Sequence, residues 1–421
     1  MKILYVCHRL ISFLVNDIVE LKKLGHDITI LSVHRDRSIY DKIVLPMLKE
    51  YRLSDNTFIN FKLNNGRNKV IAQMCFVVLR DIISHPFRTI KRLYYLEMIF
   101  KNWREKVNCY IDTGPVLNIK YDIIHSPFST PDNIRRVYYI SSVLNVPYTL
   151  SFRAHDIYAG INESMKEKKI IENASNIFIT SAYYKSLIAE KLAYKREIQI
   201  IHGPVDIEFF KPNGCPKRRN SIISVCRFDK VKGIIYLLKA CQILEDRAVP
   251  FHLFLVGEGP EEVTYRDFIG MNSIPNISII NYLSRDGVKE ELSKSEIFVL
   301  PGIILEDGTH DILPNSVKEA MAIELPVVTS DICGIRELVD DRKSGILVPP
   351  KDPQALAAAI EELLSNEELA SEMGKSGRKK ILSDFNVQIE GLKLAELLYR
   401  SSSCNKYKLS LCHENNASKI I

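Results

Sequence analysis

Short apolar runs rich in β-branched residues alternate with helical patterns along most of this 421-residue chain, and that alternation admits few folds. In the first half, 2–6, 27–33, 122–125, 148–152, 176–180 and 198–201 read as strands; in the second, 251–256, 277–280 and 297–300 do. Runs such as 251–256 are apolar but for His252, as strands covered on both faces nearly are. Strands joined through helices run parallel, so each half is read as a parallel sheet with helices packed on it. The segment 13–24 is an amphipathic helix, and Gly25 ends it. Two halves of roughly 200 residues are ordinary domain sizes, and each can bury a core.

The densest chemistry lies at 305–339, LEDGTHDILPNSVKEAMAIELPVVTSDICGIRELV, which sets Asp311 and Glu319 eight positions apart. Asp307, Gly308 and Thr309 read as loop, Pro314 as a first helical position, and 316–322 as a short helix ending before Pro326. Asp311 then sits at the mouth of the helix, beside backbone N–H groups and the positive end of its dipole, while Glu319 projects from it. Such a place suits an anionic or polyhydroxylated ligand. Taken alone, the pair is explained better as a surface helix acid and a loop acid. The order of the surrounding motifs reverses that preference.

Glu319-Ala320-Met321-Ala322, Pro326-Val327-Val328 and Gly334-Ile335-Arg336-Glu337 follow the first acid in turn. Upstream, 221–232, SIISVCRFDKVK, is a β-branched run ending in a basic loop before Gly233, and Gly257-Glu258-Gly259-Pro260 is a turn after an apolar run. The segment 202–212, HGPVDIEFFKP, precedes a stretch rich in Lys and Arg with Gly and Pro. Together these resemble family-4 glycosyltransferases of the GT-B fold, in which a strand, G-R-L and K-G, a hinge N-G-V-D-x-x-x-F-x-P, and an acid, seven residues and a Glu recur. The resemblance spans nearly the whole chain before the tail and is strongest after Pro204. Cys226 replaces a usual Gly, Asp311 the commoner Glu, and Pro314 a frequent Gly.

The resemblance implies an α/β chain of two Rossmann-like domains facing a cleft, with a C-terminal helix crossing back to the first. The expected bounds are 1–205 for the acceptor domain, 206–220 for hinge and linker, 221–385 for the donor domain, 386–400 for the crossover helix and 401–421 for a polar tail. It implies that Asp311 contacts the hydroxyls of the donor sugar and that Glu319 accepts hydrogen bonds from the nucleotide ribose, since a carboxylate's two oxygens bridge a vicinal diol. Arg227 and Lys232 are expected to hold the donor diphosphate and to neutralise charge growing on the leaving nucleotide, work done elsewhere by a metal. No metal or other cofactor is expected. Gly257, Asn315 and Ser316 complete the donor side.

On the acceptor side, 151–157, SFRAHDI, resembles the S-F-x-G-x-D strand end of polysaccharide-assembly members, which places Arg153, His155 and Asp156 at the cleft and His155 among the catalytic groups. An ordinary, partly buried His explains His155 about as well. His125 ends another strand, but Pro127 stands where many relatives carry a second His. The loop 7–12 lacks the glycines of many members, leaving His8 and Arg9 to approach the donor.

Nine cysteines form no C-x-x-C pair or metal spacing, and the first residues read as a strand rather than a signal peptide, which fits reduced thiols and a cytoplasmic protein. No apolar run is long enough to span a bilayer. The stretch 65–110 differs from the rest: Arg80, Arg88, Lys91, Arg92, Lys101 and Arg104 alternate with Phe76, Phe87, Tyr94 and Trp103. It fits peripheral contact with an anionic membrane, and equally a pair of helices packed on the first domain with a solvated basic face. A net charge of +6 is modest for this length, and no recognition motif points to nucleic acid. The activity that the resemblance implies is retaining transfer of a hexose from a UDP- or GDP-linked sugar to a lipid-linked or growing bacterial polysaccharide. A GT-B nucleotide-sugar epimerase and a catalytically idle partner of a membrane assembly are the alternatives.

Overall fold

Thirteen strands among the described residues, each paired in parallel with its neighbours, make two sheets in a computed structural model of the chain. The structure describes residues 1–7, 12–34, 45–50, 52–61, 67–153, 167–185, 188–189, 194 and 196–402. The first sheet runs β3-β2-β1-β4-β5-β6-β7, from β1 (Lys2–Cys7), β2 (Asp27–His34), β3 (Thr57–Phe61), β4 (Ile123–Ser126), β5 (Tyr148–Phe152), β6 (Asn176–Ile179) and β7 (Gln199–Ile200). The second runs β10-β9-β8-β11-β12-β13, from β8 (Ser221–Val225), β9 (His252–Val256), β10 (Ile277–Ile280), β11 (Ile297–Leu300), β12 (Val327–Ser330) and β13 (Ile346–Val348). Both orders are Rossmann-like. In each sheet the first strand lies between the second and the fourth, so the connections leave it in opposite directions and open a crevice at its carboxyl end.

The chain divides into two units. One holds Met1–Ile179, Leu187–Ile201 and Gly391–Ile421; the other holds Thr180–Ser186 and His202–Glu390. In the first unit, Ile3, Tyr5 and Cys7 of β1 are buried, and the helix Ser12–Lys23 covers them with Leu14, Val15, Ile18 and Leu21, the i, i+1, i+4, i+7 face of an amphipathic helix. Gly25, at φ 83°, ends that helix in a conformation a side chain would resist. The terminal helix, Val387–Ser401, is the expected 386–400 shifted by one residue, and Phe385 before it is fully buried in the core of the second unit. It passes from one unit to the other at Gly391 and adds Leu394, Ala395 and Leu398 to the core of the first.

The basic stretch 65–110 contains three helices, Arg67–Ser84, Pro86–Ile99 and Trp103–Thr113, not a pair. Arg92, expected on the basic face, is buried instead. Its guanidinium lies 2.5 Å from Asp81, donates to the Tyr110 carbonyl and the Tyr139 hydroxyl, and sits 3.6 Å over the Tyr110 ring. Among the described residues, no helix is long and apolar enough to cross a membrane, and the seven described cysteines are free thiols.

Candidate functional site

Three loops meet at the carboxyl ends of adjacent strands β9, β8 and β11. The loop after β8 is held on both sides by backbone: Phe228 N donates to Glu258 O at 2.9 Å, and Ile303 N to Val231 O at 2.9 Å. Two glycines permit the approach. A Cβ on Gly257, at φ 145°, would lie 1.9 Å from the Cys226 carbonyl oxygen, and one on Gly233, at φ 65°, 1.9 Å from that of Pro301. Gly257 therefore has a packing reason to be glycine, whatever it offers a ligand. Cys226 fills the space of the usual Gly with a thiol that burial pushes up to about 12, out of reach of physiological ionisation.

Lys232 and Asp311 come together across these loops. Lys232 Nζ lies 2.5 Å from Asp311 Oδ2, and both side chains are half-buried. Arg227 stands beside them in sequence but not in that pair: it is 69% exposed, with Nε 3.1 Å from Asp229 Oδ2. Each cation thus has a carboxylate partner, Lys232 half-buried and Arg227 toward solvent.

Pro314 is the N-cap residue, at ψ 130°, rather than the first helical position, and the helix is Asn315–Ala322. Proline before the helix leaves its first N–H groups on Asn315, Ser316 and Val317, which have no partner within the helix. Asn315 is exposed and Ser316 half-buried. Glu319 is half-buried, and desolvation raises its pKa against the opposing pull of Arg285 and Lys318. Neither cation sits on its carboxylate: Arg285 pairs with Asp206 at 3.0 Å and stacks 4.0 Å from the Phe209 ring, while the buried Lys318 donates to the Gly203 carbonyl. Glu319 makes no hydrogen bond or ion pair to a described residue, so a carboxylate that prefers company is left for a ligand.

Two groups that sequence reasoning passed over complete this region. Glu337 accepts from Ser181 Oγ at 2.6 Å, Ala182 N at 2.9 Å and Tyr183 N at 2.7 Å, and lies 3.9 Å from His202 Nε2. Burial raises its pKa, but the donors, His202 first, outweigh burial and hold it down to about 2. His310, next to Asp311, bonds the Gly308 carbonyl through Nδ1 at 2.7 Å and the Tyr184 hydroxyl through Nε2. Its pKa is lowered by burial, with Gly308 and Asp311 opposing. The donors to Glu337, and the Tyr184 partner of His310, lie more than 120 residues away in sequence, so no local pattern announces them.

Of the expected acceptor residues, Arg153 pairs with Asp17 at 2.9 Å in the first unit; His155 and Asp156, like His8 and Arg9, lie outside the described residues. His125 is buried, bonded through Nδ1 to Thr149 Oγ1 at 2.8 Å, and burial lowers its pKa to about 3. It stays neutral near pH 7 as a core group. Among the described residues, no three His, Cys, Asp or Glu side chains converge as metal ligands would.

Residues 205–380 match the family model described as glycosyl transferases group 1. The chain is 33% identical over 180 residues to the amylovoran biosynthesis glycosyltransferase AmsK of Erwinia amylovora, covering 42% of this chain and 44% of that one. It is 34% identical over 215 residues to the putative colanic acid biosynthesis glycosyltransferase WcaL of Escherichia coli K12, covering 50% and 53%. The chain thus spans about half the length of these curated relatives. A glycosyltransferase structure from Rickettsia africae superposes with a TM-score of 0.69 at 18% identity, covering 95% of this chain and 98% of that one. Anabaena HepE, in complex with UDP and glucose, does so at 0.65 and 14%, covering 94% and 99%. At such identities the likeness is one of fold, and the fold is GT-B.

Proposed function

We propose that this protein, whose residues 205–380 belong to the glycosyl transferases group 1 family, is a glycosyltransferase of bacterial polysaccharide biosynthesis. In this reading it moves a hexose, with retention, from a UDP- or GDP-linked sugar to a lipid-linked or growing polysaccharide acceptor. The observation that carries it is the Lys232–Asp311 pair at the carboxyl ends of β8 and β11, where an open α/β sheet takes its ligands. UDP and glucose occupy HepE, a protein of the same fold.

The pair suggests how the residues share the work. A donor diphosphate competes with Asp311 for the Lys232 ammonium, and Arg227 swings from solvent to the same phosphates. Asp311, relieved of part of its partner, accepts hydrogen bonds from sugar hydroxyls, and Glu319 accepts from the ribose diol. As the bond from the anomeric carbon to the diphosphate oxygen breaks, the two cations stabilise the departing charge. The acceptor oxygen bonds to the anomeric carbon on the same face, and its proton passes to the departing phosphate oxygen. Within this proposal the two cations stand in for a metal, Arg153, His155 and Asp156 form the acceptor side, with His155 as its catalytic group, and Gly257, Asn315 and Ser316 border the donor. The protein works in the cytoplasm with peripheral contact to the inner leaflet through 65–110.

A thermal-shift screen of UDP- and GDP-sugars tests the donor: a ligand at about 100 times its dissociation constant adds about 2.7 kcal/mol of stability. Transfer to a lipid-linked acceptor fraction is the second arm. A sugar product formed from donor alone would replace transfer by epimerisation, and stabilisation by no nucleotide sugar would overturn the reading.

A further inference from the structure

The helix Pro86–Ile99 is inverted for one that faces water. Its inward side is largely polar: of the three buried residues, Thr89, Arg92 and Leu96, only Leu96 is apolar, and Arg92 is engaged by Asp81, Tyr110 and Tyr139. Its outward side is apolar, with Phe87, Ile90, Tyr94 and Met98, spaced by three and four, each more than half exposed and Phe87 at 88%. The helix before it, Arg67–Ser84, adds Phe76, Leu79 and Ile83, spaced the same way, with Ile83 at 84%. Helical spacing puts each set on one stripe. Ten of the eighteen large hydrophobic side chains exposed among the described residues fall between Phe76 and Trp103. Scattered singly, such residues need no account; gathered, they mark a contact surface.

Charge gathers in the same place. Between Arg67 and Lys106 lie nine of the 57 basic residues and three of the 51 acidic ones, so the remainder is balanced at 48 each and this stretch carries the whole net +6. Not all of these cations face outward. Arg92 is buried, Lys91 donates to the Val143 carbonyl at 2.9 Å, Arg88 to that of Leu117 at 3.3 Å, and Lys106 pairs with Glu97. Arg80, Lys101 and Arg104 remain exposed near the apolar stripes, Arg80 with its guanidinium 3.0 Å from Asp81.

We propose that the outer face of the helices Arg67–Ser84 and Pro86–Ile99 docks on an anionic lipid leaflet, its aliphatic and aromatic stripes entering the headgroup–acyl boundary while Arg80, Lys101 and Arg104 stay among the headgroups. This deepens the peripheral contact proposed above, and it changes the physics expected from a basic surface: apolar burial supplies part of the binding, so salt weakens attachment without abolishing it. A second copy of the chain fits less well, because a two-fold contact would set one cationic patch against its twin.

Trp103 is the single tryptophan of the chain and lies at the edge of this surface, so its emission reports docking. The full chain, without nucleotide, is co-sedimented with vesicles of phosphatidylcholine alone and of phosphatidylcholine and phosphatidylglycerol in equal parts, at low and high salt. Binding to the mixed vesicles with a blue shift of Trp103 is expected at both salts, more weakly at high salt. The triple variant Ile83→Ser, Phe87→Ser, Ile90→Ser should lower partitioning on the order of 100-fold, from the apolar area withdrawn. The triple variant Arg80→Gln, Lys101→Gln, Arg104→Gln should lose only the low-salt gain. All six positions are exposed, and an unchanged melting transition of the first unit, read without nucleotide, shows that folding survives. Equal partitioning of wild type and the apolar variant overturns the proposal, as does a wild-type dimer that this variant turns into monomer. Because vesicle binding is read without nucleotide, failure of donor binding sinks the transfer reaction and leaves this result intact.

Discussion

At the scale of single residues, the site separates two cations and two carboxylates by how each is already held. Lys232 is tied to Asp311 and Arg227 faces solvent, so Arg227→Ala tests the diphosphate role with little structural cost, while Lys232→Ala also strips Asp311 of its partner. Each should cost on the order of 100-fold or more in kcat, the usual loss when a preorganised charge is removed, and near-wild-type turnover in Arg227→Ala would refute its role. The carboxylates divide differently. Ionised Glu319 is disfavoured by burial, so Glu319→Gln should raise the Tm of the ligand-free protein while weakening every nucleotide, including the nucleoside diphosphate product. Asp311→Asn should slow transfer and leave product affinity almost unchanged. Calorimetric titration with UDP and GDP reads both, and equal losses in the two variants would show that ribose and sugar are not shared out this way.

At the scale of elements, Glu337 joins the short helix Ile335–Leu338 to the loop 181–183 through a carboxylate with three close donors. Its folded pKa, about 2, lies below the usual 4.5, so the charge contributes stability above about pH 4.5 and loses it as pH falls through 4.5 toward 2. The shift corresponds to about 3 kcal/mol. Glu337→Gln should therefore lower stability at neutral pH by about that amount, and the gap to wild type should close steadily below pH 4.5 in urea unfolding of the second unit. A gap independent of pH would mean that packing, not charge, fixes the loop. This link also marks where sequence reading stops. The strands 148–152, 277–280 and 297–300 have the bounds their β-branched and apolar residues announce, and Asp311, Glu319, Arg227 and Lys232 were proposed from spacing and motif order. Glu337 stood in a recognised turn, yet its partners lie 154 to 156 residues upstream. Arg92 read as one more surface cation because Asp81, Tyr110 and Tyr139, which bury it, come from three other helices. Pro314 missed its position by one residue, since a proline φ suits both an N-cap and a first helical site.

At the scale of the molecule, the chain that builds one unit also seals the other. Residues 180–186 leave the first unit's sequence to join the second, and the helix Val387–Ser401 returns from the second to finish the first. Only its later turns carry that debt to the first core: Leu398 is fully buried there and Leu394 nearly so, beside Ile3, Leu14 and Ile18 of β1 and its covering helix. Truncating a buried Leu costs 2–5 kcal/mol through lost transfer energy and the cavity left behind. Leu398→Ala should therefore destabilise the first unit by about 3 kcal/mol, although the residue lies 177 positions past the start of β8 in sequence. The residues proposed to bind the donor all lie in the second unit, so a nucleoside diphosphate should raise only that unit's melting transition. Scanning calorimetry of wild type and Leu398→Ala, each with and without UDP or GDP, resolves the two: the variant should lower the transition that ignores nucleotide and leave the nucleotide-sensitive one in place. If the variant instead lowers the nucleotide-sensitive transition by the same amount, the two units melt as one cooperative block, and the terminal helix couples donor binding to the acceptor half through stability alone.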